Sequence, residues 1–303
     1  MRRLRNISIT LFLASVVLFG AYWYKFRISK DQTGPVFHFD SDTFTVSVHD
    51  DETALTKGIT ASDVSDGDVS ESIIVESVGP FTGTGHRIVN YVAFDSDHHV
   101  THTKRELVYS DYSAPRFILG KPLSFPMNTT NLLDGIRVTD CIDGDITRNI
   151  RMLSEDEIDT THVGNYKARL KVSNSAGDTA YLPVTIEIYD ASTKYKLPQI
   201  NLNENIVYVE KESEFDEEEY IDSVTVKGTD YVPVDSNGTY GARYVPADVT
   251  DNTISYDYID IDSDVDTRVT GCYEVVYTFE DSVNSTGTDE ARLYVVVTEG
   301  GAY

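Results

Sequence analysis

The chain has 303 residues, 40% of them hydrophobic, with 9 prolines and 2 cysteines, which is ordinary globular material and enough for two or three domains. Its formal charge of -25 is unevenly spread. Residues 1–30 carry six cations and no acid, so residues 31–303 hold 19 Lys and Arg against 50 Asp and Glu. A body this acidic is repelled by nucleic-acid phosphates and anionic lipid heads, which excludes nucleic acid as a partner and favours cationic partners or divalent metal.

Taken in chain order, the first predicted element is a helix in residues 1–30. A basic head (Arg2, Arg3, Arg5) precedes an uncharged apolar run from Ile7 to Tyr24, closed by Tyr22, Trp23, Tyr24 and then Lys25. Eighteen residues at ~1.5 Å rise cover roughly 27 Å, about one hydrocarbon core. Aromatic residues followed by cations suit the far membrane interface. An uncleaved signal-anchor is favoured over a cleavable signal peptide, because the best cut, after Gly20, has Leu18 two residues earlier instead of a small residue. The expected partner of residues 7–24 is therefore the membrane, single-pass, with residues 31–303 outside the cytoplasm.

Beyond residue 30 the sequence repeats. Asp63, Asp66, Gly67, Asp68 and Ile73 return 77 residues later as Asp140, Asp143, Gly144, Asp145 and Ile150. "TGPVF" (33–37) returns as "SAPRF" (113–117) and, more loosely, as "KLPQI" (196–200), each with a proline before an apolar strand start. A second signature closes each unit: Gly164, Tyr166, Ala168, Leu170, Val172, Asn174 matches Gly271, Tyr273, Val275, Tyr277, Phe279, Asp281. Gly85, Arg87, Val89, Tyr91, Ala93, Asp95 supplies the first copy. In "NYKARLKVS" the alternation is strict, which predicts a half-buried antiparallel strand, followed by a turn and a last apolar strand. No later segment shows a helical stripe, so short strands in three similar units predict tandem β-sandwiches.

These motifs, the acidic "GITASDVSDGDVSESI" and the closing strand with its Gly, Tyr and Asn or Asp, resemble the immunoglobulin-like repeats of bacterial surface proteins of the adhesin type. The resemblance covers nearly all of residues 34–190 and, less faithfully, 196–298. It implies an all-β architecture: one N-terminal transmembrane helix (1–30), then immunoglobulin-like domains at 31–110, 111–190 and 191–303, the third with an inserted hairpin. In the third copy the acidic turn is reduced to "TDNTI" (250–254). The resemblance carries no ligand with it.

Two readings compete for the acidic turn. Asp hydrogen-bonds its own backbone two residues on and Gly tolerates positive φ, so the motif predicts a chain reversal. Alternatively Asp63, Asp66 and Asp68, and again Asp140, Asp143 and Asp145, hold calcium, which takes six to eight oxygens. The turn reading is preferred, since no fourth acid is fixed and the third copy lacks the triad; no other cofactor is expected. "DYIDIDSDVD" (257–266) fails as a helix-loop-helix calcium loop and reads as an edge strand protected by acids. His86, His98, His99 and His102 cluster in sequence but lack a zinc motif's helical context.

No nucleophile elbow, phosphate loop or dinucleotide fingerprint occurs, so no enzyme is expected. Cys141 and Cys272 fall in different units and read as unpaired fillers. In "TDYVPVDSNGTYGARYVP" (229–246), Asn237-Gly238 predicts a hairpin flanked by Tyr231, Tyr240 and Tyr244, a candidate ligand patch. Residues 191–303 are the most acidic part, with 24 acids against 7 cations. The expected role is a stalk or recognition module in adhesion or envelope contacts, with an unidentified protein or envelope glycan as partner. The alternative is a non-catalytic accessory subunit of an envelope enzyme or polysaccharide-export assembly.

Overall fold

The computed structural model describes residues 2–29, 33–154, 157–234, 243–246, 259–281 and 286–299. Helix α1 (Arg2–Ser29) opens the chain. Within it Asn6–Lys25 is long and apolar enough to cross a membrane, with mean hydropathy 1.8 and no residue buried. A helix apolar on all sides with no protein against it suits a lipid environment, though a signal sequence meets the same length and composition.

The remaining elements build three tandem immunoglobulin-like β-sandwiches. In the first, β1 (Val36–Phe39), β3 (Ile59–Asp63) and the two-residue β4 (Gly67–Asp68) make one sheet. The other runs in the order β2-β7-β6-β5 from β2 (Thr43–Val46), β5 (Ile74–Gly83), β6 (His86–Phe94) and β7 (Val100–Tyr109). In the second, β8 (Arg116–Leu119), β10 (Ile136–Asp140) and β11 (Gly144–Asp145) face a sheet of order β12-β13-β14-β9. Those four strands are β9 (Ser124–Pro126), β12 (Arg151–Leu153), β13 (Gly164–Ser173) and β14 (Thr179–Tyr189). In the third, β15 (Gln199–Leu202), β17 (Ile221–Val226), β18 (Thr229–Val234) and β19 (Arg243–Pro246) pack on β16 (Ile206–Glu210), β22 (Thr288–Thr298), β21 (Gly271–Glu280) and β20 (Asp260–Asp262), in those orders. In each sandwich the second strand crosses to the other sheet and runs parallel to the last: β2 beside β7, β9 beside β14, β16 beside β22. A repeated sequence thus gives a repeated topology, even where one copy is elaborated.

The closing signature supplies each core. Val89, Tyr91 and Ala93, then Ala168, Leu170 and Val172, then Val275, Tyr277 and Phe279 are all buried on the inward face of β6, β13 and β21. Its glycine has a local cause. In the second and third copies Tyr166 and Tyr273 fold over Gly164 and Gly271, and each hydroxyl donates to a carbonyl four residues upstream, His162 at 3.1 Å and Val269 at 2.9 Å. This is a tyrosine corner, which fixes how the chain enters the strand. In the first copy Arg87 takes the position and donates instead to the Gly79 and Val78 carbonyls.

Compact packing divides the chain into Met1–Ser110, which holds α1 and the first sandwich, and Asp111–Tyr303, which holds the second and third. The turn "SNG" between β18 and β19 lies outside the described residues, while the strands it joins pair antiparallel from Tyr231↔Pro246 to Val234↔Arg243. Asp260 and Asp262 are exposed on β20, the edge strand of its sheet, with Ile259 buried, so these acids guard an edge as the alternation implies.

Candidate functional site

The acidic turn connects β3 to β4 and β10 to β11, and each of its carboxylates has a defined place. Asp63 Oδ1 accepts the Ser65 and Asp66 backbone N–H groups at 2.8 and 3.1 Å; Asp140 Oδ1 accepts those of Ile142 and Asp143, both at 2.9 Å. Gly67 and Gly144 follow with φ of +77° and +70°, the left-handed region that a side chain disfavours. Asp66 and Asp143 reach across the sandwich to the closing hairpin. Asp66 accepts the Ser96 N–H and hydroxyl at 2.7 and 2.8 Å, and Asp143 accepts those of Ser175 at 2.5 and 2.7 Å. Asp68 and Asp145 accept the Ser70 and Thr147 backbone N–H groups, each at 2.9 Å. Hydrogen bonds from those same residues hold both carboxyls below the usual carboxylate range.

The motif is therefore a staple that ties two loops at one end of the sandwich. Among the described residues no three His, Cys, Asp or Glu side chains converge as a metal would require. The histidines likewise separate: His86 pairs with Glu106 at 2.9 Å, His99 with Asp95 at 2.6 Å and His102 with Glu76 at 3.3 Å.

The tyrosine patch is corrected at one position. Tyr231 is 5% exposed and belongs to the third core, packed there because its register partner across the sheet is the fully buried Val224. An inward strand position takes precedence over its place beside a loop. Tyr240, and the side chain of Tyr244, lie outside the described residues.

A junction that sequence reasoning missed joins the second and third sandwiches. Strand β22 is apolar on both faces: Leu293, Val295 and Val297 fill the third core, while Tyr294 and Val296, with Ile206, Tyr208 and Cys272, pack on the core of the second. Cys272 is thus an interface residue. The contact closes open strand edges. β14 has a β9 neighbour only from Glu187 onward, and beside that gap the Tyr294 hydroxyl accepts the Thr185 N–H at 2.9 Å and donates to the Thr185 carbonyl at 3.0 Å. The Tyr208 hydroxyl accepts the Phe117 N–H at the edge of β8, at 2.7 Å.

Burial pushes the Tyr208 phenol up to about 12 and raises Tyr294 further in the same direction. At the rim, Lys194 Nζ donates to Glu187 and Asp289, each at 2.8 Å, and Asp289 also accepts the Ile200 N–H at 2.9 Å. Burial alone would lower Lys194; its two carboxylate partners more than offset this and hold it above its ordinary value. A cleft of about 290 Å³ opens here, lined by Lys121, Ser124, Glu187, Lys194, Asn201 and Asp289 among others, with its charges largely paired to one another. The signal for this junction was present in "RLYVVV", whose unbroken apolar run marks a strand buried on both faces.

The class defined by these observations is a tandem array of immunoglobulin-like β-sandwiches behind an apolar helix. No family model matches the chain, and no curated protein matches it. Solved structures do. Drosophila N-cadherin EC1-3 is 13% identical, over 90% of this chain and 91% of that one, with a TM-score of 0.30. A lipoprotein of Bacteroides thetaiotaomicron is 13% identical over 59% and 98%, with a TM-score of 0.22. The CBM51-2 and INT domains of Clostridium perfringens ZmpB, in complex with GlcNAc, are 16% identical over 46% of this chain, with a TM-score of 0.21; the chain spans 29% of that structure's length. Likeness at this level carries no functional inference.

Proposed function

We propose that the chain is a membrane-tethered, non-catalytic protein whose three sandwiches lie outside the cytoplasm as a short stalk and recognition module, in adhesion or in contacts with other envelope components. The observation that carries this reading is an unpacked apolar helix of spanning length leading into all-β modules whose repeated turn aspartates accept from nearby backbone N–H groups. Calcium is not required by this reading, since every turn aspartate accepts a backbone N–H through at least one oxygen, Asp63 through Oδ1 alone. The test is membrane fractionation of cells making the full chain, followed by labelling of intact cells with an impermeant reagent. The expected result is a membrane-bound protein labelled in residues 191–303. A released protein lacking α1 would replace the tether with a cleaved leader. A third sandwich that is masked on intact cells and co-purifies with an enzyme would favour an accessory subunit instead.

A further inference from the structure

One sheet face carries a charge opposite to the rest of the body. Along β13, Lys167, Arg169 and Lys171 alternate with the buried Ala168, Leu170 and Val172, so their heads stand about 7 Å apart on the outward face. The register sets Arg151 of β12 opposite Lys171 on one side and Tyr181 of β14 opposite it on the other. Tyr181 is 44% exposed, and the Arg169 guanidinium and Lys171 ammonium lie 4.9 and 5.7 Å from its ring centroid. The ring thereby orders two of the cations without neutralising them. Ion pairs elsewhere in this sandwich use Lys121, Arg137 and His162. Among the described residues none of Arg151, Lys167, Arg169 and Lys171 pairs with a carboxylate.

Four cations with no carboxylate partner among the described residues, two of them ordered by Tyr181, make this sheet face a receptor for carboxylates, and guanidinium groups take these in two-point fashion. The complementary surface is in the same chain. Residues 191–303 hold 24 acids against 7 cations, and Glu214, Glu218 and Glu219 are exposed on or beside the single 3₁₀ turn Glu217–Tyr220. We infer that the basic face of the second sandwich docks the acidic third sandwich of a second copy, through Arg151, Lys167, Arg169 and Lys171 against the carboxylates around Glu214–Glu219. This goes beyond the stalk reading and is independent of where the chain resides. Because both faces belong to one chain, two copies can satisfy them reciprocally as a two-fold dimer, and a single contact per pair extends head-to-tail; sedimentation distinguishes a dimer from a growing series.

The test is sedimentation of the full chain in neutral detergent micelles between about 50 mM and about 500 mM salt, a range over which screening shortens from beyond to well within the reach of the pairs. Association that grows with concentration at low salt and vanishes at high salt is expected. Arg151→Glu, Arg169→Glu and Lys171→Glu together should weaken it about tenfold or more, as should Glu214→Lys, Glu218→Lys and Glu219→Lys together. Mixing the two reversed proteins should restore it, a rescue that misfolding cannot mimic. If either reversed protein loses its β-sheet circular dichroism, Arg169→Gln with Lys171→Gln reads the same loss. A wild-type chain that stays monomeric at low salt would overturn the proposal, as would association that survives both reversals. So would an Arg169-dependent affinity for heparin without self-association, which would assign the face to an anionic polymer.

Discussion

Asn174 and Asp95 occupy one position in two copies of the closing hairpin, and the difference between them has a physical consequence. Asn174 Oδ1 accepts the Asp178 N–H at 2.9 Å while its amide donates to Asp140 Oδ2 at 3.1 Å, so the turn carboxylate is satisfied on both oxygens. Asp95 keeps the equivalent backbone bond, to the His99 N–H at 2.8 Å, but has no amide to give. Asp63 Oδ2, the counterpart of Asp140 Oδ2, is buried with no partner among the described residues. Burial pushes the Asp95 carboxyl up, and the His99 hydrogen bonds outweigh it and leave it lowered, so a charge stands where the second copy has a donor. Asn174→Asp should therefore destabilise the second sandwich by about 1–3 kcal/mol in urea denaturation at neutral pH, the cost of an unsatisfied buried group. Asp95→Asn should stabilise the first if the gained donor outweighs the lost His99 pair; a neutral or negative change would show that His99 contributes more. The same scale governs Tyr277, whose hydroxyl donates to the Glu217 carbonyl at 2.7 Å, as Tyr91 does to Leu55 at 2.6 Å. Tyr277→Phe should cost about 1 kcal/mol, one net hydrogen bond.

At the scale of elements, the acidic turn is a loop clamp with a definite pH signature. Asp68 and Asp145 have folded pKa values below the ordinary 3.8. Their contribution is thus fully present above that value and is lost as pH falls through the lowered folded one. The protection factors of the Ser70 and Thr147 amides, taken relative to the slower intrinsic exchange in acid, should fall below about pH 4 while the strand cores stay protected. Chelation should leave the melting temperature of the chain nearly unchanged, because the donors to these oxygens are backbone and hydroxyl groups; a fall of more than about 10 °C on adding EDTA would mean a bound cation. The turns, the closing strands and their inward residues were legible because a period of two and a repeated spacing leave few alternatives. Tyr231 was not, since an aromatic residue beside a hairpin looks like a platform until the pairing register shows which way it points. Cys272, read as a filler, was misjudged for a related reason, and Tyr294 was not singled out. Alternation tells which residues leave one core, and it does not tell that a neighbouring sandwich receives them.

For the whole molecule, the junction decides what the distal end can do. The third sandwich completes the open edges of the second through Tyr294 and Tyr208, so residues 111–303 should melt in one transition, and Tyr294→Phe should split or broaden it by leaving the Thr185 N–H and carbonyl without that hydroxyl. The junction should also be weakened by alkali. Tyr208, pushed up to about 12, and Tyr294, also raised, stay protonated in the folded chain beyond the ordinary tyrosine value of 10.0; Lys194 likewise holds its proton beyond 10.5. The folded state then binds protons that the unfolded state releases, so stability is intact below about pH 10 and declines as pH rises toward the folded values. Asp289 does not oppose this, because it is already ionised in both states in that range. Phenolate absorbance followed beside near-ultraviolet circular dichroism checks the order of events. Exposed tyrosines should titrate first with the fold intact, and the buried pair only as the junction opens. If Tyr208→Phe and Tyr294→Phe leave the late phase of that titration unchanged, the two sandwiches are held together by something other than these hydroxyls.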